Sequence, residues 1–175
     1  KAQVAVGEDS EIIFGNGFII EKLNNQIRDL SFKISPNSFF QTNTLQAGKL
    51  YSIGMEFLEP NKNDIVFDLY CGTGSISLFI ADKVKKVTGV ELVEDAIDNA
   101  KENAKLNNIE NVEFVLSDIK DYIKKESSLG DINLAATKII LDPPRSGLHP
   151  DICKILSETS FEKIVYISCN PVTQA

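Results

Sequence analysis

Apolar residues along this chain come mostly in short blocks separated by polar stretches. Ile65–Tyr70, Lys86–Val90, Val112–Leu116, Lys138–Leu141 and Lys163–Ile167 are such blocks, too short for helices and bounded by polar residues or glycine. Blocks of this kind read as strands buried on both faces, as in a parallel sheet. Between them, 75–83, 94–107, 121–125 and 152–157 carry helical spacing, with Ala96, Ile97, Ala100, Ala104 and Leu106 on or near one face of the second. The stretch 127–136 predicts a loop or surface segment. Upstream, Leu45, Leu50, Ile53, Met55, Phe57 and Leu58 predict a helix over 42–58, with Thr42 or Asn43 as its cap and Pro60 as its stop. Strands alternating with helices imply right-handed crossovers and a parallel sheet covered on both faces.

The opening differs in texture. Ile12, Ile13 and Phe14 run into Gly15-Asn16-Gly17, after which Phe18, Ile19 and Ile20 resume, so a hairpin is predicted about Asn16-Gly17. A second candidate strand, Leu30–Ile34, ends at Ser35-Pro36. The predicted organisation is a short antiparallel β segment over 1–36 followed by an α/β unit over 37–175.

Each predicted parallel strand ends in a chemically capable residue: Asp68, Glu91, Asp118, Asp142 and Cys169. Ligands of open α/β sheets bind beyond the carboxyl ends of the strands, so this row predicts the rim of an active site. At the first strand, Gly72 and Gly74 allow a tight turn and close approach of a ligand. Glu91 lies 19 residues past Gly72, where a carboxylate can accept ribose hydroxyls. NAD and S-adenosylmethionine both fit that pair of features. The turn lacks the third glycine of a pyrophosphate site, and Asp68 adds negative charge where a pyrophosphate would be repelled. A cationic sulfonium with an ammonium group is the better match.

Charge and cysteine content narrow the classes. No apolar run approaches the roughly 18 residues of a membrane span, and the start lacks the pattern of a signal peptide. The three cysteines are widely spaced without a C-x-x-C pair, which supports no zinc or iron–sulfur site and favours a reducing, cytoplasmic setting. Cys71 and Cys153 read as packing residues, and the lone His149 as solvated or hydrogen-bonded. The net charge of −7 counts against a nucleic-acid partner unless basic surface lies elsewhere. The missing initiator Met and the ending at Ala175 suggest a piece of a longer protein.

Four motifs together carry a family resemblance: Ser38-Phe39-Phe40-Gln41-Thr42-Asn43, the turn 67–75, Asp142-Pro143-Pro144-Arg145-Ser146-Gly147, and Tyr166-Ile167-Ser168-Cys169-Asn170-Pro171. Over about residues 32–175 the chain resembles the RNA uracil-carbon-5 methyltransferases of the bacterial tRNA and 23S rRNA type. The resemblance implies a Rossmann-like class I S-adenosylmethionine-dependent fold. It also implies methyl transfer to carbon 5 of a uridine in tRNA or 23S rRNA. Cys169 matches the nucleophile that adds to carbon 6. Gln41, Tyr70, Gly72, Glu91, Asp118 and Asp142 match or neighbour cofactor-binding positions. Arg145 is open to a structural carboxylate or an RNA phosphate. The family's general base, a glutamate beyond the Ser-Cys-Asn-Pro motif, is not within these 175 residues, nor is the N-terminal RNA-binding barrel or iron–sulfur cluster of some relatives. Methylation of cytidine carbon 5 or an exocyclic amine, and a cofactor-binding RNA module without catalysis, are the competing readings.

Overall fold

In the computed structural model, described for residues 13–36, 38–130 and 133–168, two sheets form. Strands β1 (Ile19–Asn24) and β2 (Asp29–Ile34) pair antiparallel. Helix α1 (Thr44–Leu58) follows, then β3 (Ile65–Leu69), α2 (Ser75–Ala81), β4 (Lys86–Glu91), α3 (Glu94–Leu106), β5 (Val112–Leu116), α4 (Ile119–Leu129), β6 (Thr137–Leu141), α5 (Pro150–Glu158) and β7 (Lys163–Tyr166). The last five strands make one parallel sheet in the order β5-β4-β3-β6-β7. The chain leaves β3 toward β4 on one side and later returns to β3's other side with β6. The carboxyl end of β3 is therefore the topological switch point.

All five expected parallel strands form, but burial on both faces holds only for the central β4, β3 and β6; the outer strands β5 and β7 leave Leu116 and Ile164 48% and 42% exposed, because among the described residues each has a neighbour on one side alone. Every residue of β6 is buried, as is all of β3 after Ile65. Two apolar clusters cover the sheet. One gathers Leu78, Phe79, Ile97 and Phe114 with the hairpin residues Leu23, Leu30 and Phe32. The other gathers Phe67, Leu69, Tyr122, Ile139 and Ile152. A buried Lys138–Asp64 pair, at 2.8 Å, ties the start of β6 to the loop after α1, and Lys138 also donates to the Glu59 carbonyl at the end of α1.

Three expectations need correction. Ile13 and Phe14 lie in bends and are 95% and 98% exposed, so no hairpin closes about Asn16-Gly17 among the described residues; Ile12 lies outside them. The hairpin instead joins β1 to β2, where the Asn25 side chain accepts from the amides of Ile27 and Arg28 and fixes the turn. Helix α1 is present with Asn43 as N-cap, but it buries Ala47, Tyr51, Gly54, Met55 and Leu58, leaving Leu45, Leu50, Ile53 and Phe57 exposed. Gly54 faces Ile140 and Ile167, where a Cβ would stand 3.7 and 3.5 Å from them, in ordinary contact. Helix α4 runs over 119–129 rather than 121–125, since Asp118 caps it early and Gly130 ends it in the left-handed conformation.

Candidate functional site

The loop from β3 to α2 makes two sharp reversals. Tyr70 has φ +69, an uncommon conformation for a side chain of that size, and is held by its amide donating to the Val90 carbonyl at 3.0 Å. Gly72 and Gly74 have φ +52 and +82, so both require glycine's conformational freedom. They differ in surroundings. A Cβ at Gly74 would meet the Phe114 ring at 2.7 Å, whereas one at Gly72 would meet nothing within 4 Å. The turn is closed beneath and open above.

Glu91, at the tip of β4, faces this turn. One of its carboxylate oxygens accepts from the Gly72 amide at 3.2 Å, and the other from Leu92 and Val93 at 2.7 and 3.1 Å. Three of the roughly four lone-pair positions of a carboxylate are thus used, and about one remains for a ligand hydroxyl.

Asp68 sits beneath the turn with no exposure. Its Oδ2 accepts from the Ser77 hydroxyl at 2.6 Å, but its Oδ1 and the buried Thr73 hydroxyl have no hydrogen-bond partner. Burial pushes the Asp68 carboxyl up to about 7 against the Ser77 hydrogen bond, and the charges of Asp142 and Glu91 push the same way. Asp142, just beyond β6, is lifted by burial to about 6, partly offset by a hydrogen bond from the Gln41 side chain. Tyr51, from α1, meets the Ser75 hydroxyl at 3.0 Å, and burial raises its phenol well above the ordinary range.

The structure therefore brings Gln41 to Asp142, and Tyr70, Gly72 and Glu91 to one another, all around the end of β3. Asp118 stands apart from these pairs. It is exposed and caps α4 by accepting from Lys120 and Asp121, although its charge still reaches the Tyr70 phenol, which burial lifts to about 12. Cys169 lies outside the described residues. Cys71 is buried, with its thiol pushed up by desolvation, as expected of a packing residue. Cys153 is exposed instead, because α5 turns only Ile152 and Leu156 to the core. His149 caps α5, its Nδ1 accepting from the Asp151 amide at 3.2 Å. Sequence reasoning left Asp68 out of the binding set and did not find Tyr51 or Ser75. The signal for Asp68 was present in its position immediately before the glycine turn.

An open glycine face, orphaned buried oxygens and a ribose-type carboxylate fit a nucleoside ligand carrying positive charge. Among known proteins, the family model described as tRNA (Uracil-5-)-methyltransferase matches residues 3–175. An uncharacterized RNA methyltransferase of Clostridium tetani is 48% identical over 93% of this chain, which covers 33% of that protein. Another from Nanoarchaeum equitans is 44% identical over 98% of the chain, covering 35% of that protein. The chain thus spans about a third of the length of the curated relatives it matches. The crystal structure of the Pyrococcus abyssi tRNA (uracil-54, C5)-methyltransferase, in complex with S-adenosyl-L-homocysteine, superposes with a TM-score of 0.72 and 32% identity, covering 96% of this chain and 40% of that one. The Methanocaldococcus jannaschii tRNA m1G37 methyltransferase, at 21% identity and a TM-score of 0.56, shares the fold. The chain belongs to the tRNA (uracil-5-)-methyltransferase family.

Proposed function

We propose that this chain is the catalytic part of an RNA methyltransferase that moves a methyl group from S-adenosyl-L-methionine to carbon 5 of a uridine. The observation that carries the reading is the meeting of two pairs, Glu91 with Gly72 and Gln41 with Asp142, around an open glycine turn at the switch point. In this reading Glu91 receives the ribose, the face above Gly72 admits the ligand backbone, and Asp68 with Asp142 supplies negative charge for its cationic end. The half-buried Tyr70, held in its strained conformation, lies beside Glu91 for contact with the nucleoside. Asp118 is the candidate for the adenine amino group, through whatever capacity its capping bonds leave. The cofactor supplies an electrophilic methyl group on a sulfonium.

Carbon 5 of uracil is too weak a nucleophile to take that group unaided. The Cys169 thiolate adds to carbon 6, and the electron pair of the 5,6 double bond moves onto the carbon 4 carbonyl as an enolate. The enolate's carbon 5 then bonds to the methyl carbon as the methyl–sulfur bond of the sulfonium breaks, its electron pair staying on sulfur to leave a neutral thioether. A base removes the hydrogen from carbon 5, the double bond re-forms, and the thiolate leaves. The base is expected from a glutamate after the Ser-Cys-Asn-Pro motif. The partner is structured RNA in the cytoplasm, either tRNA or 23S rRNA. The target uridine leaves its stack to reach the site.

Full-length protein mixed with adenosylmethionine and RNA containing 5-fluorouridine should give a covalent protein–RNA adduct, because after methyl transfer carbon 5 bears fluorine in place of the hydrogen that the base must remove. Cys169→Ser should abolish the adduct while preserving binding of adenosylhomocysteine. Adduct formation by Cys169→Ser at the unaltered rate would refute the mechanism. Nucleoside mass spectrometry of tRNA and 23S rRNA fractions from a deletion strain identifies the acceptor by which one loses 5-methyluridine.

A further inference from the structure

Helix α3 and its C-cap carry asparagines at every fourth position, Asn99, Asn103 and Asn107, all buried. Four helical residues rise about 6 Å and two strand residues about 6.7 Å, so such a row can follow alternate residues of a neighbouring strand. It does. Asn107 accepts from the Ser31 amide at 2.8 Å and donates to the Ser31 carbonyl at 2.7 Å. Asn103 accepts from the Lys33 amide at 2.7 Å and donates to the Lys33 carbonyl at 3.2 Å. Asn99 accepts from the Ser35 hydroxyl at 2.8 Å and donates to the Ser38 hydroxyl at 2.9 Å. Side-chain amides thus stand in for a third strand along the open edge of β2.

The three rungs differ in where the remaining N–H goes. Asn99 and Asn107 turn it back on their own helix, to the carbonyls of Asp95 and Asn103. Asn103 sends it out to the Thr73 carbonyl at 3.2 Å, between the two glycines of the turn. Asn103 has no exposure, and its one acceptor and both donors are all engaged. A single buried amide therefore clamps the Lys33 peptide of the hairpin and the floor of the glycine turn together.

We propose that Asn103 is a positioning residue for the cofactor, making the shape of the glycine turn depend on docking of the β1–β2 hairpin. The proposal rests on the adenosylmethionine reading. A ligand above Gly72 binds best when the turn is held, and a held turn in turn holds the hairpin edge. Any contact that pulls Lys33 off Asn103 weakens cofactor binding, whereas loosening the hairpin at Ser31 leaves the turn held, and bound cofactor tightens the Lys33 rung by the same factor.

Asn107 is the matched control, since it makes the same two bonds to β2 but none to the turn. Calorimetry with adenosylhomocysteine on the full-length protein should show Asn103→Ala binding at least about fivefold more weakly, in the usual range of coupling energies. Asn107→Ala should stay within about twofold despite a comparable fall in melting temperature. Equal weakening in the two variants, or none in either, overturns the proposal. Hydrogen exchange on the unaltered protein gives a test that needs no variant. Saturating adenosylhomocysteine should slow exchange of the Lys33 amide, and an unchanged Lys33 rate overturns the proposal even if Asn103→Ala fails to fold. Absence of any adenosylhomocysteine binding by the unaltered protein would instead refute the cofactor reading, and this inference with it.

Discussion

Asp68 is the residue whose energetics bear most directly on the proposed cofactor site. With no exposure and one unpartnered oxygen, its carboxyl is pushed by burial to about 7, with Asp142 and Glu91 adding to the effect. An acid whose pKa is higher folded than unfolded holds its proton longer in the folded state. Its stabilising contribution is full at low pH and fades as pH rises from about 4 through 7. Asp68→Asn should therefore stabilise the ligand-free protein at pH 8, by on the order of 4 kcal/mol at most, and leave it little changed near pH 4. The same change should weaken adenosylhomocysteine binding, because an amide does not neutralise the ligand's ammonium group. In the unaltered protein, affinity should climb between about pH 5.5 and 8 with proton release near 7, and Asp142, lifted to about 6, acts in the same direction. Thermal melts and calorimetry in buffers of differing ionisation heat would check this; pH-independent affinity would sink it. At this scale the sequence marked Tyr70, Gly72, Glu91 and Asp142 by motifs at or just past strand ends and Gln41 by the motif before α1, and the structure gathers them around the end of β3. It did not mark contacts made with a partner on another element. Asn99, Asn103 and Asn107 look like the polar face of a solvated helix until β2 is laid against them.

Among the elements, the central strands β3, β4 and β6 were legible because burial on both faces leaves short, mostly apolar runs, and the outer β5 and β7 because polar residues and turns bound them. Helix α1 was legible as a helix but not in its rotation. Of its six apolar marker residues only Met55 and Leu58 are buried, together with Ala47, Tyr51 and Gly54, while Leu45, Leu50, Ile53 and Phe57 are exposed. The turn joining β3 to α2 offers a test in which two glycines with similar backbones should fail differently. Gly74→Ala drives a Cβ to 2.7 Å from the Phe114 ring in a left-handed conformation, so the protein should lose several kcal/mol or fail to accumulate. Gly72→Ala meets open space, and only the conformational strain of about 1–2 kcal/mol applies. Its methyl, however, stands where the ligand approaches. The expected result is a folded Gly72→Ala protein with a modest drop in melting temperature and no detectable adenosylhomocysteine binding. Normal binding by Gly72→Ala would show that the ligand does not pass over this turn.

For the molecule as a whole, the question is how a chain with net charge −7 can serve RNA chemistry. Counting cations is misleading, because many of the 18 basic residues are already committed. Arg28 pairs with Asp82, Lys33 with Glu102, Lys86 with Glu113, Lys120 with Asp151, and Lys138 with Asp64 and Glu162. Exchanging such a partner for a phosphate gains little, since one anion replaces another at the same cation. Counterion release should therefore be small. We predict that residues 1–175 alone bind a uridine-containing oligonucleotide weakly, with log K falling against log salt at a slope no steeper than about −2, the value for roughly three phosphate contacts on a single strand. The full-length protein should show a steeper slope, because this chain covers about a third of its relatives' length and we place the basic surface that would meet the RNA backbone in the rest. Fluorescence anisotropy between 50 and 300 mM salt measures both slopes. A slope steeper than about −4 for the chain alone would mean that this acidic surface conceals a basic RNA path, and the division of labour argued here would fail.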